Sequence, residues 1–147
     1  MSETQEPKIQ AARDEHSVRT PPLFAGRSRA RQSVAVIVIP ILFGVVAAFM
    51  LKWAEPAWWT WQGLGILGAT IAGLEHLRWW SAALRGAVAG LVAALTVVGI
   101  HTFLPGKDMT DFDPVAFPIY AFIASAGLHA LGTVLRRRTP ATGVDAA

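Results

Sequence analysis

SVAVIVIPILFGVVAAFML, residues 33–51, is a run of nineteen residues without a charge, and its length decides the fold class. At 1.5 Å of rise per residue such a helix reaches about 28 Å, close to the roughly 30 Å of hydrocarbon in a bilayer. Pro40 lies near its middle. The ring removes one amide donor and obstructs the carbonyl of Val36, which predicts a kink at that point.

Outward from this run the pattern repeats. Apolar stretches over about 57–77, 82–104 and 114–135 predict three more spans, hence an all-α integral membrane protein with four transmembrane helices in an antiparallel bundle. Eleven of the thirteen Lys and Arg residues fall in the N-terminal tail, around Arg78 and Arg85, and in the triplet Arg136, Arg137 and Arg138. Only Lys52 and Lys107 occupy the other two connections. Basic residues stay on the cytoplasmic side of a membrane, so this alternation predicts both termini inside. The chain divides into a disordered basic cytoplasmic tail (1–32), the four-helix domain (33–135) and a short cytoplasmic tail (136–147).

Composition agrees. Hydrophobic residues make up 53% of the 147 and charged ones 16%, too few charges to cover a soluble domain of this length. The net charge of +3 does not signal nucleic-acid binding, because the basic residues border apolar runs instead of forming one face. The absence of Cys excludes disulfides, thiolate catalysis, Cys-ligated metal and covalent c-type haem. Arg in excess of Lys, with abundant Ala and Gly, suits a GC-rich bacterial genome and hence a bacterial inner (plasma) membrane. Some thirty polar residues before the first apolar run argue against a cleaved secretion signal.

Aromatic and charged residues set the expected depth. Trp53, Trp58, Trp59 and Trp61 form an outer belt and Trp79 and Trp80 an inner one. Arg27, Arg29, Arg31, Arg78, Arg85 and the Arg136–Arg138 triplet serve as topology and interface residues, able to meet anionic headgroups. Asp113 before Pro114 is a start signal for the fourth span.

Small residues recur every four positions. Gly65, Ala69 and Gly73 lie on one ridge of the second span, and Ala82, Gly86, Gly90 and Ala94 on one ridge of the third. Both ridges permit close helix packing, and the tight turn joining these spans favours contact between the two ridges within one chain.

Chemistry-bearing groups are sparse. Thr70, Thr96 and Ser125 are the mid-span polar residues, and no charged side chain occupies a span centre, which weighs against proton-coupled antiport. His76 and His129 lie toward the inner side on different helices; they are weak candidates to ligate haem or to form part of a quinone or proton site. Their plainer roles are an interfacial His76, a Glu75–Arg78 pair, and a His129 that donates to a nearby carbonyl. His101 is placed to face Gln62 or the acidic turn. Asp108, Asp111 and Asp113 are weak candidates for a divalent cation, but their spacing matches no calcium loop. No nucleophile–base pair or phosphate loop is present.

The reading that follows is a non-enzymatic structural or accessory subunit of a larger membrane complex, with the lipid bilayer and other membrane subunits, or copies of itself, as partners. No cofactor is expected. The alternatives are a homo-oligomeric channel or facilitator for a small solute, lined by Pro40, Thr70, Thr96 and Ser125, and a haem or quinone site at His76 and His129.

Overall fold

The computed structural model describes residues 23–106 and 112–138. Among these there are four long helices and no strand: α1 (Arg29–Trp53), α2 (Glu55–Gly73), α3 (Trp79–His101) and α4 (Ala116–Arg138). Three of them, α1, α3 and α4, are long and apolar enough to cross a membrane, with mean hydropathies of 2.9, 2.0 and 1.5. The 19-residue α2 is not among them. Its interior carries Gln62, Thr60, Thr70 and the glycines at 63, 65 and 68, which dilute its apolar residues without charging it.

Several boundaries differ from the sequence expectation, each for a local reason. Helix α1 begins at Arg29, inside what reads as tail, because Ser28 caps it by accepting from the Arg31 amide. Residues Val34–Val38 form a π-helical turn immediately before Pro40, closed by the Ile39 amide donating to the Val34 carbonyl. Widening the ladder there is one way a helix absorbs the donor that proline lacks. Ala54 alone separates α1 from α2, with an extended φ of −154°, and Pro56 sits in the first turn of α2, where its missing amide costs nothing. Helix α2 stops at Gly73, four residues short of position 77, and 74–78 form the turn to α3. Gly106, at φ +108°, adopts a left-handed conformation that a side chain would strain.

Asp113 caps α4. Its Oδ1 accepts from the amides of Val115 at 2.8 Å and Ala116 at 3.1 Å, and these two bonds hold the carboxyl below its ordinary pKa. Pro114 and Val115 lie in the capping turn, so the regular helix starts at Ala116. At its far end the Arg136–Arg138 triplet is the last turn of α4, not the start of a tail; 139–147 lie outside the described residues.

Around the bundle the helices follow the order α1, α3, α4, α2, with the most extensive packing between α3 and α4. Gly44 of α1 faces Ala93 and Thr96 of α3, and Lys52 Nζ donates to the Gly106 carbonyl at 3.1 Å, so residue numbers rise together and α1 and α3 are parallel. Gly86 faces Ser125 and His129 while Gly90 faces Ala121, which makes α3 and α4 antiparallel. Trp58 meets Phe117 at one end of the α2–α4 pair and Gly73 meets Gly132 at the other, a second parallel pair. The bundle therefore alternates along the chain but contains two pairs of parallel neighbours.

This order corrects one expectation. The small-residue ridges of α2 and α3 do not form a joint contact, since those helices lie on a diagonal with little between them. Gly73 of the first ridge and Gly86 and Gly90 of the second pack on α4, and Gly65 packs on the Phe43 ring of α1. A five-residue turn is long enough to carry the chain across the bundle, so sequence adjacency did not impose contact.

The core is built mainly from small residues. Ala47, Ala48, Leu51, Trp58 and Val97 form its buried cluster, bordered by Trp61, Phe112 and Phe117, while Ala82, Gly86 and Ala94 of the α3 ridge, and Ala87 beside it, are also buried. Large apolar residues such as Ile39, Leu42, Leu67, Leu84, Ile123 and Tyr120 lie outside. Trp58 and Trp61, expected in an aromatic belt, are turned inward. Trp58 is 4% exposed, and Trp61 donates its indole N–H to the Phe43 carbonyl at 3.1 Å while stacking on the Phe43 ring. Trp53, Trp59, Trp79 and Trp80 remain on the surface.

Candidate functional site

The polar groups of the described residues concentrate where α2 ends. A helix terminus leaves four carbonyls without an intrahelical donor, and at this end α3 and α4 supply donors. Thr133 Oγ1 of α4 donates to the Gly73 carbonyl at 3.0 Å, Arg85 Nη1 of α3 to Ala72 at 3.4 Å, Arg136 Nη1 to Leu74, and Arg137 Nη2 to Leu77 at 2.6 Å. Guanidinium groups on the negative end of a helix also gain from its dipole. The basic triplet thus ties α4 to α2, a role beyond the topology marker it reads as.

Glu75 is the centre of the cluster. Its Oε1 accepts from Arg27 Nη2 at 2.6 Å and its Oε2 from Arg85 Nη1 at 2.8 Å. This replaces the expected Glu75–Arg78 pair. Arg78 precedes α3 with extended backbone, whereas Arg85 lies two turns further along and reaches back beneath the turn. The side chains of Glu75 and Arg85 are 14% and 9% exposed, so neither charge is fully hydrated and each depends on the other.

The third component is the segment before α1. Phe24, in a single 3₁₀ turn (Phe24–Gly26), donates its amide to the Glu75 carbonyl at 2.9 Å. Its ring stacks on His76 with centroids 5.1 Å apart, and the Arg85 guanidinium lies 4.0 Å from the centroid of the same Phe24 ring. Gln32 fastens the segment from behind by donating to the carbonyls of Arg27 at 2.9 Å and Phe24 at 3.3 Å. Residues 23–28, expected in a disordered tail, are an ordered strap across the α2–α3 turn. Residues 1–22 lie outside the described residues.

The two candidate histidines come to this same cluster. His76 is 7% exposed and His129 4%, and His76, Glu75 and Arg85 all lie near enough to act electrostatically on the His129 ring. His129 Nδ1 donates to the Ser125 carbonyl at 2.9 Å, and Gly86 lies directly against that ring. His76 is covered by the strap. Its buried Nδ1 makes no hydrogen bond among the described residues, and burial first, then the Arg85 charge, hold the imidazole below its ordinary pKa of 6.5.

That direction fixes a pH dependence. A folded state that resists protonating His76 keeps its full advantage above the unfolded value of 6.5 and loses it progressively as pH falls from there toward the lower folded value. Amide-exchange protection of 23–28 and 74–78, corrected for intrinsic rates, is therefore expected to fall as the pH drops below about 6.5. His76→Phe retains the ring stack without a titrating group and is expected to flatten that dependence.

The remaining candidates disperse. The hydroxyls of Thr70 and Thr96 donate to Ile66 at 2.9 Å and Val92 at 2.8 Å, each one turn back on its own helix. Pro40 is buried, and Ser125 packs on Gly90. His101 faces the ring of Phe112 at 4.7 Å. Asp108 and Asp111 lie outside the described residues, and Asp113 serves as a helix cap. Among the described residues no three His, Asp or Glu side chains are grouped to hold a metal. Ala69 is half-buried, and Arg29 and Arg31 are exposed on the first turn of α1.

Phe24, Gly44, Gly132 and Thr133 belong to this architecture and carry no distinctive sequence signal. The spacing of Gly132 and Thr133 after His129 on one helix was the sole available hint. The chain matches no protein-family model, no curated protein and no solved structure.

Proposed function

We propose that the chain is a four-helix protein of a bacterial inner membrane, both termini cytoplasmic, that acts as a non-enzymatic structural or accessory subunit of a larger membrane complex. In this reading α2 is the fourth span, uncharged between Glu55 and Glu75. The clustered cations around Glu75 then mark the cytoplasmic side.

One observation carries the accessory role. The outer face of α2 exposes Leu64, Leu67, Gly68 and Ile71, and a Cβ added at Gly63 or Gly68 meets nothing within 4 Å. This helix also falls short of the mean hydropathy that α1, α3 and α4 reach over a spanning length. A span of low hydropathy with glycines on its outer side gains little from lipid contact and much from a protein neighbour that can approach its backbone. The ties around Glu75, Thr133 and Arg136 meanwhile engage the polar groups in holding helix ends together.

Gly68→Leu tests it. The change meets no atom of the chain itself, so thermal stability in mild detergent is expected to stay within about 0.5 kcal/mol of the parent. Recovery of partner subunits with the tagged protein from native membranes is expected to fall at least tenfold. A parent chain that runs alone as a monodisperse homo-oligomer, with no larger assembly in native membranes, rejects the reading and favours a self-assembled channel.

The placing of His76 and His129 in one buried cluster keeps haem as a second reading. Purified protein with a Soret band that His129→Ala removes supports it, and a spectrum without that band disposes of it.

A further inference from the structure

Beside the strap a cavity of about 420 Å³ opens on the bundle surface. Its volume lies in the range of small-molecule sites, roughly 300–1,000 Å³. Val36 of α1 forms one wall, and Trp80, Leu84 and Val88, spaced four apart on one ridge of α3, form the other. Leu23 and Arg78 stand at the end beside the α2–α3 turn. From Arg78 to Val88 the groove follows ten residues, about 15 Å at 1.5 Å per residue.

The chemistry of the two ends differs. The α3 ridge is apolar and open, with Leu84 61% exposed. At the other end Ser81 Oγ donates to the Arg78 carbonyl, and Glu75 is held by Arg27 and Arg85. The Arg78 side chain makes no ion pair or hydrogen bond among the described residues. Two guanidiniums thus share the Glu75 carboxylate at the mouth of an apolar trough, and a third, on Arg78, leaves surplus positive charge at the level of Trp79 and Trp80.

We infer that this groove binds one anionic phospholipid, its headgroup phosphate on Arg78 and an acyl chain along Val36, Leu84 and Val88. An unpartnered cation at the head of an apolar channel complements a molecule that is anionic at one end and hydrocarbon at the other. The inference rests on the membrane reading above and adds a specific ligand to it.

The test uses the full chain reconstituted in phosphatidylcholine vesicles containing a minor fraction of phosphatidylglycerol. Lipid retained after extraction into mild detergent is identified by native mass spectrometry. Phosphatidylglycerol is expected on the protein in excess of its share. Arg78→Gln should lower that retention about fivefold, the effect of removing one guanidinium from an anionic headgroup. Leu84→Trp, which fills the trough, should lower retention as well, and Ile123→Trp, on the exposed face of α4 outside it, should not.

Equal retention by the parent and Arg78→Gln overturns the inference. So does displacement by inorganic phosphate alone, which would make the mouth an anion site without a lipid. A chain that fails to float with vesicles after alkaline extraction rejects the membrane reading itself, whereas floating without preference for phosphatidylglycerol rejects only the groove.

Discussion

Gly73→Val is expected to force α2 away from α4 and to cause the largest loss of stability of any single change considered. At this position an added Cβ falls on the backbone of His129, and on the facing helix a Cβ at Gly132 would in turn meet the Thr70 carbonyl and the Gly73 backbone. A side chain in the way can change rotamer, but a backbone carbonyl cannot. Overpacking typically costs 1–3 kcal/mol, and an immovable neighbour places this case at roughly 3 kcal/mol or more. The damage extends beyond the steric contact, because the Gly73 carbonyl also receives the Thr133 hydroxyl. Thermal unfolding followed by circular dichroism in mild detergent measures the loss, with Gly68→Val as the reference. If the two glycine variants unfold at the same temperature, the close approach of α2 to α4 is wrong.

Glu75→Gln is expected to have the second-largest effect and to act chiefly on the strap and the turn. Glutamine keeps the volume, so packing is preserved and only the charge is removed. Arg85, 9% exposed, then lies beside Arg27 with no carboxylate between them. Removing one partner from a buried ion pair costs about 3–5 kcal/mol. The 29% exposure of Arg27 allows water to screen part of that penalty, which brings the expected loss to about 3 kcal/mol. Exchange protection of 23–33 should collapse before that of α3 and α4. A second change, Arg85→Met, removes the stranded cation and is expected to restore much of the loss, since the pair and its replacement by apolar groups can be nearly equal in stability. Unchanged protection in Glu75→Gln would rule out the carboxylate as the link between the strap and the turn.

How much of this was legible beforehand depended on whether the cause was local. The helical class, the apolar runs and the cap at Asp113 are written in contiguous residues, so periodicity and composition reveal them. The π-helical turn at Val34–Val38 was foreshadowed by Pro40, which announces a disrupted ladder but not the form of the repair. Glu75 was read as pairing three residues along, the nearest basic group in sequence. The structure instead gives it Arg27, 48 positions away, and Arg85, 10 away. The tryptophans show the same limit: Trp58 and Trp59 are adjacent and chemically identical, yet only the first is buried.

Composition and the lengths of the uncharged stretches determined that this chain is all-helical among its described residues and that α1, α3 and α4 have the reach to cross a bilayer, because hydrocarbon thickness and helix rise set that requirement residue by residue. Which helices touch was decided only in three dimensions. Consecutive α2 and α3 stand diagonally opposed, since the small residues on both find a closer fit against α4 than against each other. The same packing brings the strap, the α2 terminus and the α4 arginines to one place, and separations of 48 to 62 residues leave no trace in any local pattern.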